Sequence, residues 1–210
     1  LGDCYYLAVL SSLSDTDPGL IEQMIAPLGD GTYAVRFYNA GQEVYLRIDG
    51  DLPVNASNNL VYARLTPDNE IWVALAEKAY AYYRYGKNSY SSIESGWMST
   101  AYAQVTGGYT TSKITYNTTA SSMYNYLLSQ LNSGHAVTTG TYSVTDSPWV
   151  AGHAYVIKSV QTVGGQLMAT IYNPWGIDGR TWDNNSSDGL MNVTIQSILD
   201  NCSAVVVSLV

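Results

Sequence analysis

Apolar and polar positions change their period twice along the chain. From Cys4 to Leu13 an uninterrupted run of helix-forming residues follows the tight-turn pair Gly2-Asp3, which sets Asp3 or Cys4 at a helix start. Asp17-Pro18 restarts the chain, and Leu20, Ile21, Met24 and Ile25 mark one face of a short helix that Gly29-Asp30-Gly31 ends. Residues 32–38 and 43–49 then alternate as strands do, joined through Asn39-Ala40-Gly41-Gln42 as a β-hairpin. Residues 49–53 read as a turn and 60–65 as another short strand. The strongest helical signal runs from Ile71 to Tyr83, with Asp68-Asn69-Glu70 as its cap region. Apolar residues cover more than half of its circumference, so this helix is expected to be buried on most sides. A short helix around Thr100 to Gln104 ends at Gly107-Gly108.

After that pair the pattern becomes mostly strand-like. One helix near 121–131 precedes strands at 136–142, 153–160, 167–172, 191–195 and 204–209. A mainly helical first lobe over 1–108 and a β-rich second lobe over 109–210 make an α+β chain, with a cleft between lobes as the expected place for a site.

Charged residues are only 12% of the 210, about half the usual share. The surface is therefore built largely from Ser, Thr, Asn, Gln and 19 tyrosines. A net charge of −8 argues against general binding of nucleic acid or anionic membrane, both of which need basic surface. No apolar run reaches the length of a membrane span, and no signal-peptide pattern is present. The tyrosine-rich, lysine-poor composition leans towards an extracytoplasmic protein, and a first residue other than Met towards a fragment or processed product.

Two cysteines, Cys4 and Cys202, stand near opposite ends. One pair is no disulfide framework, although a bridge is arithmetically possible. Cys202 leads into Ser203-Ala204-Val205-Val206-Val207 and reads as the packed start of a buried strand. Cys4 taken alone reads as the first buried residue of a helix. A helix start also offers unsatisfied N–H groups and a positive end that would favour a thiolate.

The two histidines separate by context. His135 sits at a turn before a strand, whereas His153 follows Gly152 and begins a strongly β-forming segment. A turn at Val163-Gly164-Gly165-Gln166 would fold 153–160 against 167–172 and bring His153 and Asn173 to one end of the ribbon. Pro174 cannot donate to the ladder, so pairing stops there and the Asn173 side chain is released. His153 and Asn173 lie 149 and 169 residues downstream of Cys4. That order suits a thiol served by an imidazole whose tautomer an amide oxygen fixes.

Three segments carry a resemblance. Leu1-Gly2-Asp3-Cys4-Tyr5, Gly152-His153-Ala154-Tyr155 and Asn173-Pro174-Trp175-Gly176 resemble, in order, the nucleophile, histidine and asparagine segments of the calpain cysteine proteases. The stretches 48–53, 70–81, 105–108 and 188–191 are similar to that family's intervening and later segments. The resemblance implies a papain-like two-lobed core that hydrolyses peptide bonds in polypeptides through a thioester. In it Cys4 attacks and supplies one oxyanion N–H, His153 carries the proton, Asn173 orients His153, and Trp175 shields that bond. It also implies a larger multidomain parent. The family's second oxyanion donor, a glutamine six positions before the cysteine, would fall ahead of Leu1, and this absence leaves open a non-catalytic binding or scaffolding module on the same fold. Tyr5 stands where the family usually has tryptophan. No cofactor is assigned. Calcium follows only from the resemblance, because Asp178, Asp183 and Asp188 near the asparagine form no recognisable binding loop.

Overall fold

The computed structural model describes residues 1–63 and 70–210. The cap positions Asp68 and Asn69 lie outside the described residues, as do the last two residues of the strand expected at 60–65, while 61–63 form bends rather than a strand. Leu60 itself makes only an isolated bridge to Val54.

Helix α1 (Cys4–Thr16) gives way to α2 (Pro18–Met24), whose start is set by the Asp17 carboxylate accepting from Leu20 N at 3.1 Å and by Pro18 in the first turn. A three-stranded antiparallel sheet follows, in the order β1 (Ile25–Pro27), β2 (Thr32–Asn39), β3 (Gln42–Asp49). Asn39 pairs with Gln42 across Ala40 and Gly41, which both have positive φ. This two-residue turn matches strand twist. Strand β1 departs from the sequence pattern, in which Ile25 belongs to the helix face. It is short, at a sheet edge, and holds a proline where edges tolerate one. Helices α3 (Trp72–Tyr83) and α4 (Met98–Thr106) complete this half.

The second half is a six-stranded antiparallel sheet in the order β4 (Thr110–Ile114), β9 (Cys202–Ser208), β5 (Val137–Thr141), β6 (Ala154–Val163), β7 (Gln166–Tyr172), β8 (Leu190–Thr194). Helix α5 (Ala120–Asn132) precedes β5, and α6 (Ile195–Asn201) sits between β8 and β9. Strand β4 and helix α6 escaped the sequence pattern. The first is Thr-Thr-Ser-Lys-Ile, a polar edge strand held by its register with β9. The second is only two turns long, capped by Thr194 Oγ1 accepting from Ser197 N at 3.1 Å.

The six-stranded sheet is buried on both faces, and period-2 alternation sorts its side chains between two cores. Ala154 and Val156 face the core built with α1, α2, α3 and α4, as do Ala136 and Val206. Tyr155, Ile157, Val137, Val205 and Val207 face a second core with α5 and α6. Stacked Tyr6–Tyr80 and Phe37–Tyr83 pairs, with centroids 4.0 and 4.7 Å apart, fill the first core. Helix α1 is tied down by Ser12 Oγ with Tyr102 OH at 2.7 Å and by an ion pair from Lys158 to Asp15 at 2.8 Å. Lys158 lies at a bulge in β6, where pairing with β7 shifts between Ile157 and Ser159. Before the bulge β6 is buried; after it the strand is largely exposed. Among the described residues no helix is long and apolar enough to cross a membrane.

Gly107 ends α4 in the left-handed region at φ 72°, and a Cβ there would stand 2.6 Å from the Tyr38 ring. Gly107→Ala is therefore expected to lower stability by about 2 kcal/mol or more, measured by urea unfolding, from backbone cost and clash together.

Candidate active site

The site assembles where the start of α1 meets the start of β6. Asp3 precedes the helix, and its carbonyl accepts from Tyr6 N and Leu7 N at 2.8 and 3.1 Å. Its side chain makes no capping bond. Cys4 is half-buried at the first helical position, and the backbone N–H of Ala154 approaches its Sγ. The N–H groups of Cys4 and Tyr5 also face the sulfur, as the unpaired amides of a helix start do. The opening of β6 thus meets the opening of α1, and His153 immediately precedes Ala154.

His153 is buried, and Thr141 holds its backbone: Thr141 Oγ1 accepts from His153 N at 2.8 Å, and Thr141 N donates to His153 O at 2.9 Å. Its Nε2 lies 2.8 Å from Asn173 Oδ1. The polarity of that bond follows from its neighbours. Asn173 Oδ1 also accepts from Trp175 N at 3.0 Å, while Asn173 Nδ2 donates to Asp178 O at 3.2 Å. The oxygen can only accept, so Nε2 carries the hydrogen and Nδ1 is the nitrogen with a lone pair. Asn173 is fully buried, and its N–H donates to Gly189 O at 2.8 Å. The Trp175 ring tilts over the imidazole at 4.2 Å, and Tyr155 meets it edge-on at 5.0 Å. A cleft of about 1000 Å³ runs alongside, lined by Asp3, Leu7, Trp72, Tyr172 and Trp175 among others.

The electrostatics correct one expectation. The helix start was expected to draw the thiol towards thiolate. Burial instead pushes the Cys4 thiol above its ordinary value and Asp3 adds to the shift, against the lowering effect of the Ala154, Tyr5 and Cys4 amides. Burial likewise pushes His153 below its ordinary value, against the Asn173 bond. Each group alone is therefore neutral near pH 7.

Of the other singled-out residues, Cys202 is buried and unbridged at the start of β9, and Cys4 is unbridged too, so no disulfide joins them. His135 lies in the turn before β5, with Nδ1 2.8 Å from Gln130 Oε1. Asp178 is fully buried with neither carboxyl oxygen meeting a donor; burial first, then Asp183 and Asp188, raise its pKa. Those neighbours are committed elsewhere. Asp188 accepts from Leu190 N and Asn185 Nδ2, and Asp183 from Asn185 N. Among the described residues no three His, Cys, Asp or Glu side chains converge on a metal position. Burial disfavours the charged form of Asp178, whose backbone carbonyl steadies Asn173.

Sequence reasoning missed Thr141, which looks like any other threonine in a strand. It also missed Gly179 and Gly189. A Cβ on Gly179 would come within 3.2 Å of Asn173 Nδ2, and one on Gly189 within 3.0 Å of Asn173 O. Their signal was present in the glycines that punctuate the segment after Asn173. A third omission is a pair of acids. Asp3 and Glu77 are both buried, and their carboxyls hydrogen-bond to each other, which requires a shared proton. Glu77 Oε2 also accepts from Ala63 N at 2.9 Å. Glu77 had been a position on a helical pattern and Asp3 a turn residue. Together they clamp the residues before Cys4 onto α3.

Residues 1–196 match the family model described as calpain family cysteine protease. The chain is 30% identical over 188 residues to the calpain-type cysteine protease DEK1 of Arabidopsis thaliana, covering 83% of this chain and 9% of that protein. It is 28% identical over 203 residues to rat calpain-13, covering 90% of this chain and 30% of the relative. Against the human calpain-1 catalytic subunit it is 29% identical over 209 residues, covering 90% and 28%. The chain spans less than a third of the length of each of these relatives.

Burial, and then Asp3, push Glu77 from 4.5 up to about 9. Above pH 4.5 the unfolded chain releases this proton while the folded chain keeps it, so stability falls as pH rises towards 9. Glu77→Gln keeps a hydrogen to share with Asp3 and cannot ionise. It is expected to remove a decline of at most about 1.4 kcal/mol per pH unit, read from urea midpoints between pH 5 and 9.

Proposed function

The chain belongs to the calpain family of cysteine proteases, and from that premise we propose that it is the core of a thiol endopeptidase acting through Cys4, His153 and Asn173. The observation that carries the reading is the bond from His153 Nε2–H to Asn173 Oδ1, which leaves Nδ1 as the proton acceptor on the strand that meets the nucleophile's helix.

In this reading the resting pair is neutral. Proton transfer from Sγ to Nδ1 creates two opposite charges side by side in a partly dry site, each compensating the burial that disfavours the other alone. The thiolate adds to the scissile carbonyl carbon, and the oxygen becomes an oxyanion towards the Cys4 N–H, which has no backbone acceptor among the described residues. Collapse breaks the C–N bond as Nδ1–H protonates the leaving amine, leaving a thioester. Water then gives its proton to Nδ1 and adds to the thioester carbon; the second collapse expels the thiolate and releases the acid. Asn173 keeps the imidazole in the one tautomer that can do this, and Trp175 covers the bond from water. Residues 1–108 supply the nucleophile's lobe and 109–210 the histidine and asparagine, within a larger parent protein. The raised thiol pKa also favours a second reading, in which the fold only binds polypeptide.

Reactivity of Cys4 separates the two. At pH 7 iodoacetamide is expected to alkylate Cys4 at least about tenfold faster in the native chain than in His153→Ala, where labelling should climb only above the ordinary thiol pKa. Cys4→Ala should abolish cleavage of unfolded casein. Equal Cys4 labelling in both proteins, with no casein cleavage by the protein carrying residues 1–210, would leave the binding reading standing instead.

A further inference from the structure

A second pocket lies on the other side of the nucleophile's turn. It is a hollow of about 350 Å³ between the end of α3, the start of α4 and the β2–β3 turn, with Arg84 in its wall. The guanidinium is held between two tyrosine rings, 5.4 Å from the Tyr5 centroid and 5.0 Å from that of Tyr85. Its Nη1 donates to Tyr5 OH and, at 2.7 Å, to Ser95 O, while Nη2 has only a long 3.3 Å bond to Tyr85 OH. Among the described residues no carboxylate lies within ion-pair distance of Arg84. Lys87, Lys113 and Arg180 also stand outside any ion pair among the described residues, and Arg84 is the one of these four cations that lines this hollow.

The other polar groups of the hollow are neutral. Gln104 spends its Oε1 on Tyr80 OH at 2.6 Å, which leaves its amide hydrogens for a ligand, and Thr100 and Asn39 are exposed beside it. Trp97 stands 79% exposed at the rim. Tyr85 holds a left-handed backbone at φ 60°, an uncommon conformation for a bulky residue. The hollow is joined to the nucleophile by backbone: Tyr5 follows Cys4, and Ser95 N donates to Gly2 O at 2.8 Å. Because Tyr5 lines the hollow, a polypeptide reacting at the neighbouring Cys4 has it within reach of its flanking residues.

We propose that this hollow is a specificity pocket for the carboxylate of an acidic side chain, Asp or Glu, on the polypeptide substrate. Arg84 supplies a planar fork for that carboxylate, and Trp97 and Tyr85 pack on the aliphatic stem. The assignment rests on the endopeptidase reading, and two assays keep the two apart.

The first assay uses fluorogenic peptide pairs that differ only by Glu or Gln at each of four positions on either side of the scissile bond. One position is expected to favour Glu about tenfold in kcat/KM, with the Glu-to-Gln ratio within each protein falling to about one in Arg84→Gln and reduced in Arg84→Lys. No Glu preference anywhere, or one that survives in Arg84→Gln, overturns the proposal. Matched peptides ending in an acid or an amide identify the source; a preference that follows only the terminal acid overturns the side-chain assignment. The second assay needs no catalysis. Tryptophan fluorescence in Cys4→Ala is titrated with N-acetylglutamate methylamide and its glutamine counterpart, the Trp97 signal being the part of the change lost on adding Trp97→Phe. Saturable quenching by the glutamate compound alone, lost on adding Arg84→Gln, supports the pocket even if no peptide is cleaved. Equal quenching by both compounds overturns it even if cleavage is observed.

Discussion

The geometry of the site depends on one contact, the flank of helix α1 lying along strand β6. At one end Cys4 meets the amide of Ala154, and at the other Asp15 pairs with Lys158. Eleven residues of helix rise roughly 16 Å and four residues of strand roughly 13 Å, so the two elements run side by side over nearly the whole helix. Between those ends Ala154 and Val156 share a core with Tyr5, Val9 and Leu13. Small strand residues there let the helix approach closely. The Cys4 thiol and the His153 imidazole are therefore placed by a packing interface rather than by loops, an arrangement that tolerates little displacement.

That interface also explains the charge states. Packing α1 onto the sheet removes the thiol and the ring from water, and burial moves each towards its neutral form. The hydrogen bonds around Asn173 then decide which nitrogen is available. The shared proton of Asp3 and Glu77 removes one negative charge from a place where two would repel each other and disfavour a nearby thiolate. Each of these polar groups is buried by the same docking that brings the reactive atoms together. Assembly of the core and tuning of the site are consequently one event.

Much of this was legible in the residues because it was local. Gly164-Gly165 marks the hairpin and Pro174 marks where pairing ends, so the sequence alone brings His153 and Asn173 to one end of the ribbon. The alternation of Ala154, Tyr155, Val156 and Ile157 read as a strand, although only the fold shows that each face belongs to a different core. What stayed hidden was set by distant partners. Strand β4 is polar and becomes a strand only against β9, and α6 is too short to show a period. Asp3 and Glu77 are 74 positions apart, and nothing in either neighbourhood announces a shared proton. The thiol's shift was misjudged for the same reason: a helix start is visible in sequence, whereas the burial that outweighs it is not.

The bulge at Lys158 divides the β6–β7 ribbon into two mechanical parts. The near part is locked between two cores and carries His153 at its root. The far part runs on past Met168, where the pairing of β7 with β8 ends, to an exposed tip at Gly164-Gly165. Strain or added length at that tip is absorbed by a two-stranded arm before it reaches the sheet. In evolutionary terms the arm is an open plot, where segments for recognition or control can be inserted while the imidazole keeps its place.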